Sequence, residues 1–290
     1  MMNACLPCFT KVHPLKSVMI FSFLGPAFLL GSCTSPPAVS QGSDQAAAGS
    51  ITLNVFAAAS LTAAFTDIAE AFEAQYPPVS VVLNFAGSQE LAQQINSGAP
   101  ADVFASANAR QMKMVIDGGS LISGSQQAFV QNRLVVIVPS DNQAGLKTFY
   151  DLSRPGLKLI LASKDVPVGT YSLQILEKAS QDSAYGNTFR ENVNRNVVSY
   201  ENNVKAVLAK IALGEGDAGI VYSSDVTGDN ASQVVKIDIP DPMNVIAKYP
   251  IAVLKDSRQA DLAAAFEAYV LSPDGQEVLA KFGFIPIGEK

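Results

Sequence analysis

The chain has 290 residues, is 48% hydrophobic and 16% charged, and carries a net charge of −6. That length holds one large domain or two modest ones, each with a real core, and the sparse charge argues against long disordered tails. An acidic balance without basic clusters excludes nucleic acid as a partner.

In chain order, the first element is a targeting segment. Lys11 and Lys16 precede "SVMIFSFLGPAFLL" (17–30), an uncharged apolar run of 14 residues. It is too short for a comfortable membrane span and suits a signal-peptide core. It ends in "LLGSC", which resembles the lipobox of bacterial lipoproteins, where the cysteine becomes the acylated first residue after cleavage. Residues 1–32 are therefore expected to be a lipoprotein signal peptide, with Cys33 the lipid attachment site. An ordinary cleaved signal with an incidental cysteine is the alternative. Acyl chains anchor through about 0.8 kcal/mol per buried methylene.

Cleavage would remove Cys5, Cys8 and the one histidine, His13. The CxxC spacing of "CLPC" has no βα unit around it and reads as chance. The mature chain then has no histidine, no tryptophan, one acylated cysteine and no disulfide. That composition excludes zinc, copper and iron sites built on histidine or thiolate. With Lys11 and Lys16 gone, 18 basic residues face 26 acidic ones, a net charge of −8.

Residues 33–50 continue as "CTSPPAVSQGSDQAAAGS", a stretch without periodicity that reads as a flexible tether. From residue 51 the pattern alternates. "ITLNVFA" (51–57) and "VSVVLNF" (79–85) read as strands, and between them Leu61, Phe65, Ile68 and Phe72 fall at helical spacing. A helix follows Ser88 and stops at Gly98; "ADVFASA" (101–107) is the third strand. Further strands are expected at 133–140, 157–162, 196–200, 217–224 and 249–254. Helices are expected at 165–179 and 203–216, the latter burying Val204, Val207, Leu208 and Ile211. Two helices close the chain, the second capped by Ser272 with Pro273 at its first position. Repeated strand–helix alternation implies α/β architecture with mostly parallel sheets, in which ligands bind beyond the carboxyl ends of strands.

Two turns share one grammar. In "VFAAASLTAAF" (55–65) and "NFAGSQELAQQI" (84–95) an apolar strand meets small residues, a serine, then an amphipathic helix. Ser60 and Ser88 are expected at helix N-caps, where a hydroxyl, bare backbone N–H groups and the helix dipole favour an anion. Capping alone is the simpler reading of either serine. Two equivalent turns in consecutive units shift the balance, because adjacent parallel units bring their helix starts to the same sheet edge. "DVPVGTYSLQILEKA" (165–179) and "YENNVKAVLAKI" (200–211) offer bare N–H groups near Val168 and Val204, and Tyr222 ends the strand "AGIVY" with a phenol. Ordinary packing is the alternative for each of these three.

"VFAAASL", "FAGSQELAQQINSGAPADVFASAN", "VPVGTYS", "NNVKAVL" and "GIVYSSD" stand in the order and approximate spacing of periplasmic molybdate-binding proteins. The resemblance runs from about residue 51 to 288, and "SPDGQEVLAKFGFIPI" extends it to the C-terminus. It implies a two-lobed type II periplasmic binding-protein fold: residues 51–132 plus 250–290 as one lobe and 133–249 as the other. It further implies one oxyanion, molybdate or tungstate, in the interlobe cleft of a monomer that serves an ABC transporter permease outside the cytoplasmic membrane. No cofactor is implied, and the oxyanion's metal has no direct protein ligand. By motif, Ser60 and Ser88 each give a hydroxyl and an N–H, Val168 and Val204 give N–H groups, and Tyr222 gives its hydroxyl. Val168 stands where the family often has alanine. Gln89 and Glu90 depart from a stretch that the family usually makes serine- and threonine-rich.

A neutral donor set suits such a guest. Hydrogen bonds to a charged group contribute about 1.5–3 kcal/mol each, while exposed charges farther than about 8–10 Å are screened. No arginine or lysine stands at the matched positions; a guanidinium fork would favour carboxylate or phosphate. Molybdate at neutral pH carries no proton and needs only donors, whereas protonated phosphate also needs an acceptor. Sulfate has molybdate's charge and shape, so its rejection falls to cavity size. Two alternatives remain: the same fold with sulfate, another oxyanion or ferric iron, and a serine hydrolase. The hydrolase lacks a mature histidine, a GxSxG sequence, and a lysine in either serine turn. Asp165 and Glu201 flank the matched segments and read as solvated loop charges.

Overall fold

The computed structural model describes residues 50–227 and 231–287. The expected signal peptide, Cys33 and nearly all of the expected tether lie outside them.

The chain opens on β1 (Ile51–Ala58), a 3-10 turn (Ala59–Leu61) and α1 (Thr62–Gln75), which buries Phe65, Ile68 and Phe72 at the expected helical spacing. β2 (Val79–Ala86) and α2 (Ser88–Asn96) follow, and α2 buries Leu91, Ala92 and Ile95. β3 (Val103–Ala105) and α3 (Ala109–Asp117) complete a third unit. β4 (Gln127–Asn132) and β5 (Leu134–Pro139) are separated only by Arg133. Then come β6 (Leu159–Ala162), α4 (Pro167–Gln181), α5 (Phe189–Arg195), β7 (Val197–Glu201), α6 (Val204–Ala212) and β8 (Ala218–Tyr222). β9 (Val234–Asp238) leads back to β10 (Ala247–Val253), α7 (Ala260–Leu271), α8 (Pro273–Lys281) and the short β11 (Ile285–Pro286).

Two sheets result, with strand orders β11-β4-β10-β3-β1-β2 and β7-β6-β8-β5-β9. The α/β class and two-sheet architecture match expectation, but the sheets are mixed rather than mostly parallel. β2-β1-β3 and β7-β6-β8 are parallel, whereas β4, β5, β9, β10 and β11 pair antiparallel. The cause is connectivity. A parallel neighbour needs a crossover, usually a helix. β5 enters the second sheet straight from β4, and β10 re-enters the first after β9, with no α-helix in either passage.

The main core joins the inner faces of both sheets to the helices, including Phe65, Phe129, Val136, Ile175, Ile211 and Phe266. A smaller apolar cluster fills the space between α2, α3 and the first sheet around Leu91, Phe104 and Met112. In both parallel triplets the helices start beyond the carboxyl ends of the strands, so the starts of α1, α2, α4 and α6 are available to one ligand.

Candidate anion-binding site

Each expected site residue ends a parallel strand or follows one. Ser60 sits in the 3-10 turn after β1, and Ser88 is the first residue of α2 after β2. Val168 is the second residue of α4 after β6, Val204 the first of α6 after β7, and Tyr222 the last of β8. All five line one cavity. It is small, with about 210 Å³ of empty space including its mouth. A wider groove, about 1410 Å³ on the same basis, runs along α4, but it is an open surface lined by several ion-paired side chains.

Neither serine is a side-chain cap, contrary to expectation. The N-cap of α2 is Gly87, and that of the 3-10 turn is Ala58; neither start has a side-chain cap bond. Ser88 therefore lies one position inside its helix. Its Oγ accepts the Ala107 N–H at 3.0 Å, which leaves its own hydrogen for the cavity. Ser60 Oγ lies 3.0 Å from the Tyr249 phenol oxygen. Both serines are buried, at 5% and 1% exposure.

The backbone donors arise from helix geometry. The N–H groups of a helix's first turn have no intrahelical acceptor. Pro167 at the start of α4 has no N–H to satisfy, so Val168 presents the first bare one there. At α6 the Asn203 side chain takes the Ala206 N–H at 3.0 Å and leaves that of Val204 open. Two glycines make the close approaches possible. A Cβ on Gly169 would sit 2.0 Å from the Ser163 carbonyl oxygen, and one on Gly87 would sit 2.5 Å from that of Asn202.

Tyr222 is 1% exposed, and its phenol oxygen has no protein hydrogen-bond partner. Burial pushes this phenol well above its ordinary pKa, and Tyr249, Tyr171 and Asp225 add to the rise. It therefore stays protonated, with a hydrogen to donate. The Tyr249 phenol is raised in the same direction, again chiefly by burial.

No lining residue carries a charge. A buried ionic pair adjoins Tyr222: Asp225 accepts the Tyr222 N–H at 3.2 Å and pairs with Lys205 at 3.0 Å. Burial raises the Asp225 carboxyl, and Lys205 opposes that rise. Asp165 and Glu201 stay out of the lining; Asp165 is 3.6 Å from Arg110, with both side chains 57% exposed, and Glu201 pairs with Lys210 at 2.7 Å. Glu90 also stays out of the lining, while Gln89 Nε2 bridges to the Asn202 carbonyl at 2.7 Å. Among the described residues no cluster of three or more histidine, cysteine, aspartate or glutamate side chains could hold a metal ion.

Sequence reading misses Tyr249, Asn132 and Ala107. Tyr249 opens the apolar run "YPIAVL" and looks like any core aromatic. Only the pairing of β10 with β3 and β4 brings it under Ser60.

The family model for bacterial extracellular solute-binding proteins matches residues 53–285. The molybdate-binding protein ModA of Mycobacterium tuberculosis is 40% identical over 236 residues, covering 81% of this chain and 85% of that protein. Among solved structures, the periplasmic molybdate-binding protein of Azotobacter vinelandii has a TM-score of 0.66 at 19% identity, covering 80% of this chain and 98% of that one. The sulfate-binding protein SubI of M. tuberculosis has a TM-score of 0.73 at 19% identity, covering 82% and 88%. The two structures share the fold, and the fold by itself does not choose between their oxyanions. The chain belongs to the bacterial extracellular solute-binding proteins, in the family of the molybdate-binding protein ModA.

Proposed function

We propose that this chain captures molybdate outside the cytoplasmic membrane, with tungstate as a second guest, and delivers it to the permease of an ABC importer. The observation that carries the reading is one small cavity lined by the hydroxyls of Ser60, Ser88 and Tyr222 and by the helix starts at Val168 and Val204, without a charged side chain. The Ser88 hydrogen, the Tyr222 phenol and the bare helix N–H groups all donate. Such a set suits a guest with four unprotonated oxygens and penalises one that needs an acceptor.

Residues 51–132 with 250–290 form one lobe and 133–249 the other, hinged where the chain passes between the sheets. β10 already joins the first sheet at Ala247, close to that boundary. Two hydrogen bonds join the opposing cleft faces: Gln89 to the Asn202 carbonyl at 2.7 Å and Gln111 to the Asp165 carbonyl at 2.9 Å. Closure on the guest brings these pairs together. The protein acts as a monomer, tethered through acylated Cys33 after loss of residues 1–32.

A thermal-shift panel with molybdate, tungstate, sulfate and phosphate tests the reading. Molybdate and tungstate at a thousand times their dissociation constants should each stabilise the protein by about 4 kcal/mol. A shift with sulfate and none with molybdate would reassign the guest.

A further inference from the structure

We propose that Tyr249, held by Asn132, is a positioning residue that turns the Ser60 hydroxyl hydrogen into the cavity and so helps bar oxyanions that carry a proton. This rests on the oxyanion reading of the cavity but assigns a role to residues outside its lining.

The inference follows the hydrogen atoms. Asn132 is fully buried at the end of β4, and its Oδ1 accepts the Arg133 N–H at 3.0 Å. Its Nδ2 donates to Ser224 Oγ at 2.7 Å and reaches the Tyr249 oxygen at 3.5 Å. An amide nitrogen only donates, so Tyr249 meets a donor on that side. The Tyr249 hydrogen is then left for the Ser60 oxygen, 3.0 Å away. Ser60, having accepted, directs its own hydrogen to the guest. The Tyr249 ring is fixed by edge contacts with Phe129, Tyr222 and Phe284 at centroid distances of 6.3, 5.7 and 5.7 Å. Ser88 reaches the same polarity through a backbone donor, the Ala107 N–H. Ser60 differs in depending on a side-chain relay that another side chain could reverse.

The test compares molybdate with monohydrogen phosphate at pH 8, where both are dianions, by calorimetric titration of wild type, Tyr249→Phe and Asn132→Asp. Tyr249→Phe keeps the ring and frees Ser60 to accept. Molybdate should bind about three- to tenfold more weakly, and the ratio of the two dissociation constants, phosphate over molybdate, should fall at least about tenfold. Asn132→Asp offers Tyr249 an acceptor, draws its hydrogen away from Ser60, and should lower the same ratio. Its added charge repels both dianions alike and cancels in the ratio. Purely structural damage would weaken both guests together.

An unchanged ratio in the variants overturns the inference. If Tyr249→Phe does not fold, Asn132→Asp carries the test. A wild type that holds hydrogen phosphate as tightly as the unprotonated oxyanions overturns it without any variant. A wild type that binds sulfate or tungstate but no molybdate overturns the proposed function alone, and the ratio is then taken against that oxyanion. A wild type that binds none of the four overturns both.

Discussion

Ser88 is asked for two hydrogen bonds at once: it accepts from the Ala107 N–H and donates to the cavity. Ser88→Ala should weaken molybdate binding by about 1–3 kcal/mol, because one donor to a charged acceptor is lost. It should also destabilise the empty protein by about 1–3 kcal/mol, because a buried N–H is stranded. Titration reads the first effect and unfolding of the empty protein the second; an unchanged affinity would reduce Ser88 to a packing residue. The buried phenols make a separate prediction. Burial raises Tyr222 and Tyr249 well above 10.0 and Tyr171 to about 12. In the unfolded chain these groups ionise near pH 10, while in the folded protein they keep their protons. Their contribution to stability is therefore complete below about pH 10 and is lost as pH rises towards 12 and beyond. Urea midpoints measured from pH 8 to 12 should be level up to about pH 9.5 and then fall, less steeply in Tyr171→Phe.

At the scale of elements, the strand–small residue–helix units were legible because apolar periodicity is local. Phe65, Ile68 and Phe72 announce α1, and Val204, Val207, Leu208 and Ile211 announce α6. Elements that depend on distant partners are not legible in this way. β4 is "QAFVQN", with polar ends and a short apolar middle, and it becomes a strand because β10 and β11 flank it. α3 and α5 are polar helices of 9 and 7 residues with narrow buried faces. The sequence shows where the serine turns fall but not which residue caps them. Cap identity depends on which residue holds non-helical backbone angles, and Gly87 takes that place at φ −58°, ψ 136°. Gly169 tests how tightly such a start is set. Gly169→Ala would force a Cβ against the Ser163 and Ala162 carbonyls at 2.0 and 2.6 Å. It should destabilise the protein by about 1–3 kcal/mol and weaken binding by displacing the Val168 N–H; an alanine variant of wild-type stability and affinity would show that α4 shifts freely on β6.

Across the whole molecule, the chain passes between its sheets twice, at Arg133 and between Asp238 and Ala247, and the strands beside these passages pair with each other, Asn132 opposite Ala247. The two sheets are thus joined by neighbouring straps while the helix starts beyond them line one cavity. Composition forecast a protein without metal-ligating histidines but gave no view of cavity size, because that depends on how far the halves close. The cavity's neutrality reaches beyond affinity. With no cation waiting inside, cargo enters with its ionic character intact, and each filled molecule becomes two units more acidic than an empty one. Native isoelectric focusing should resolve the filled and empty populations as separate bands, with the filled band nearer the acid end. Coincident bands at full loading would mean that protons or counter-ions enter with the cargo, and the simple picture of an undressed passenger would have to be given up.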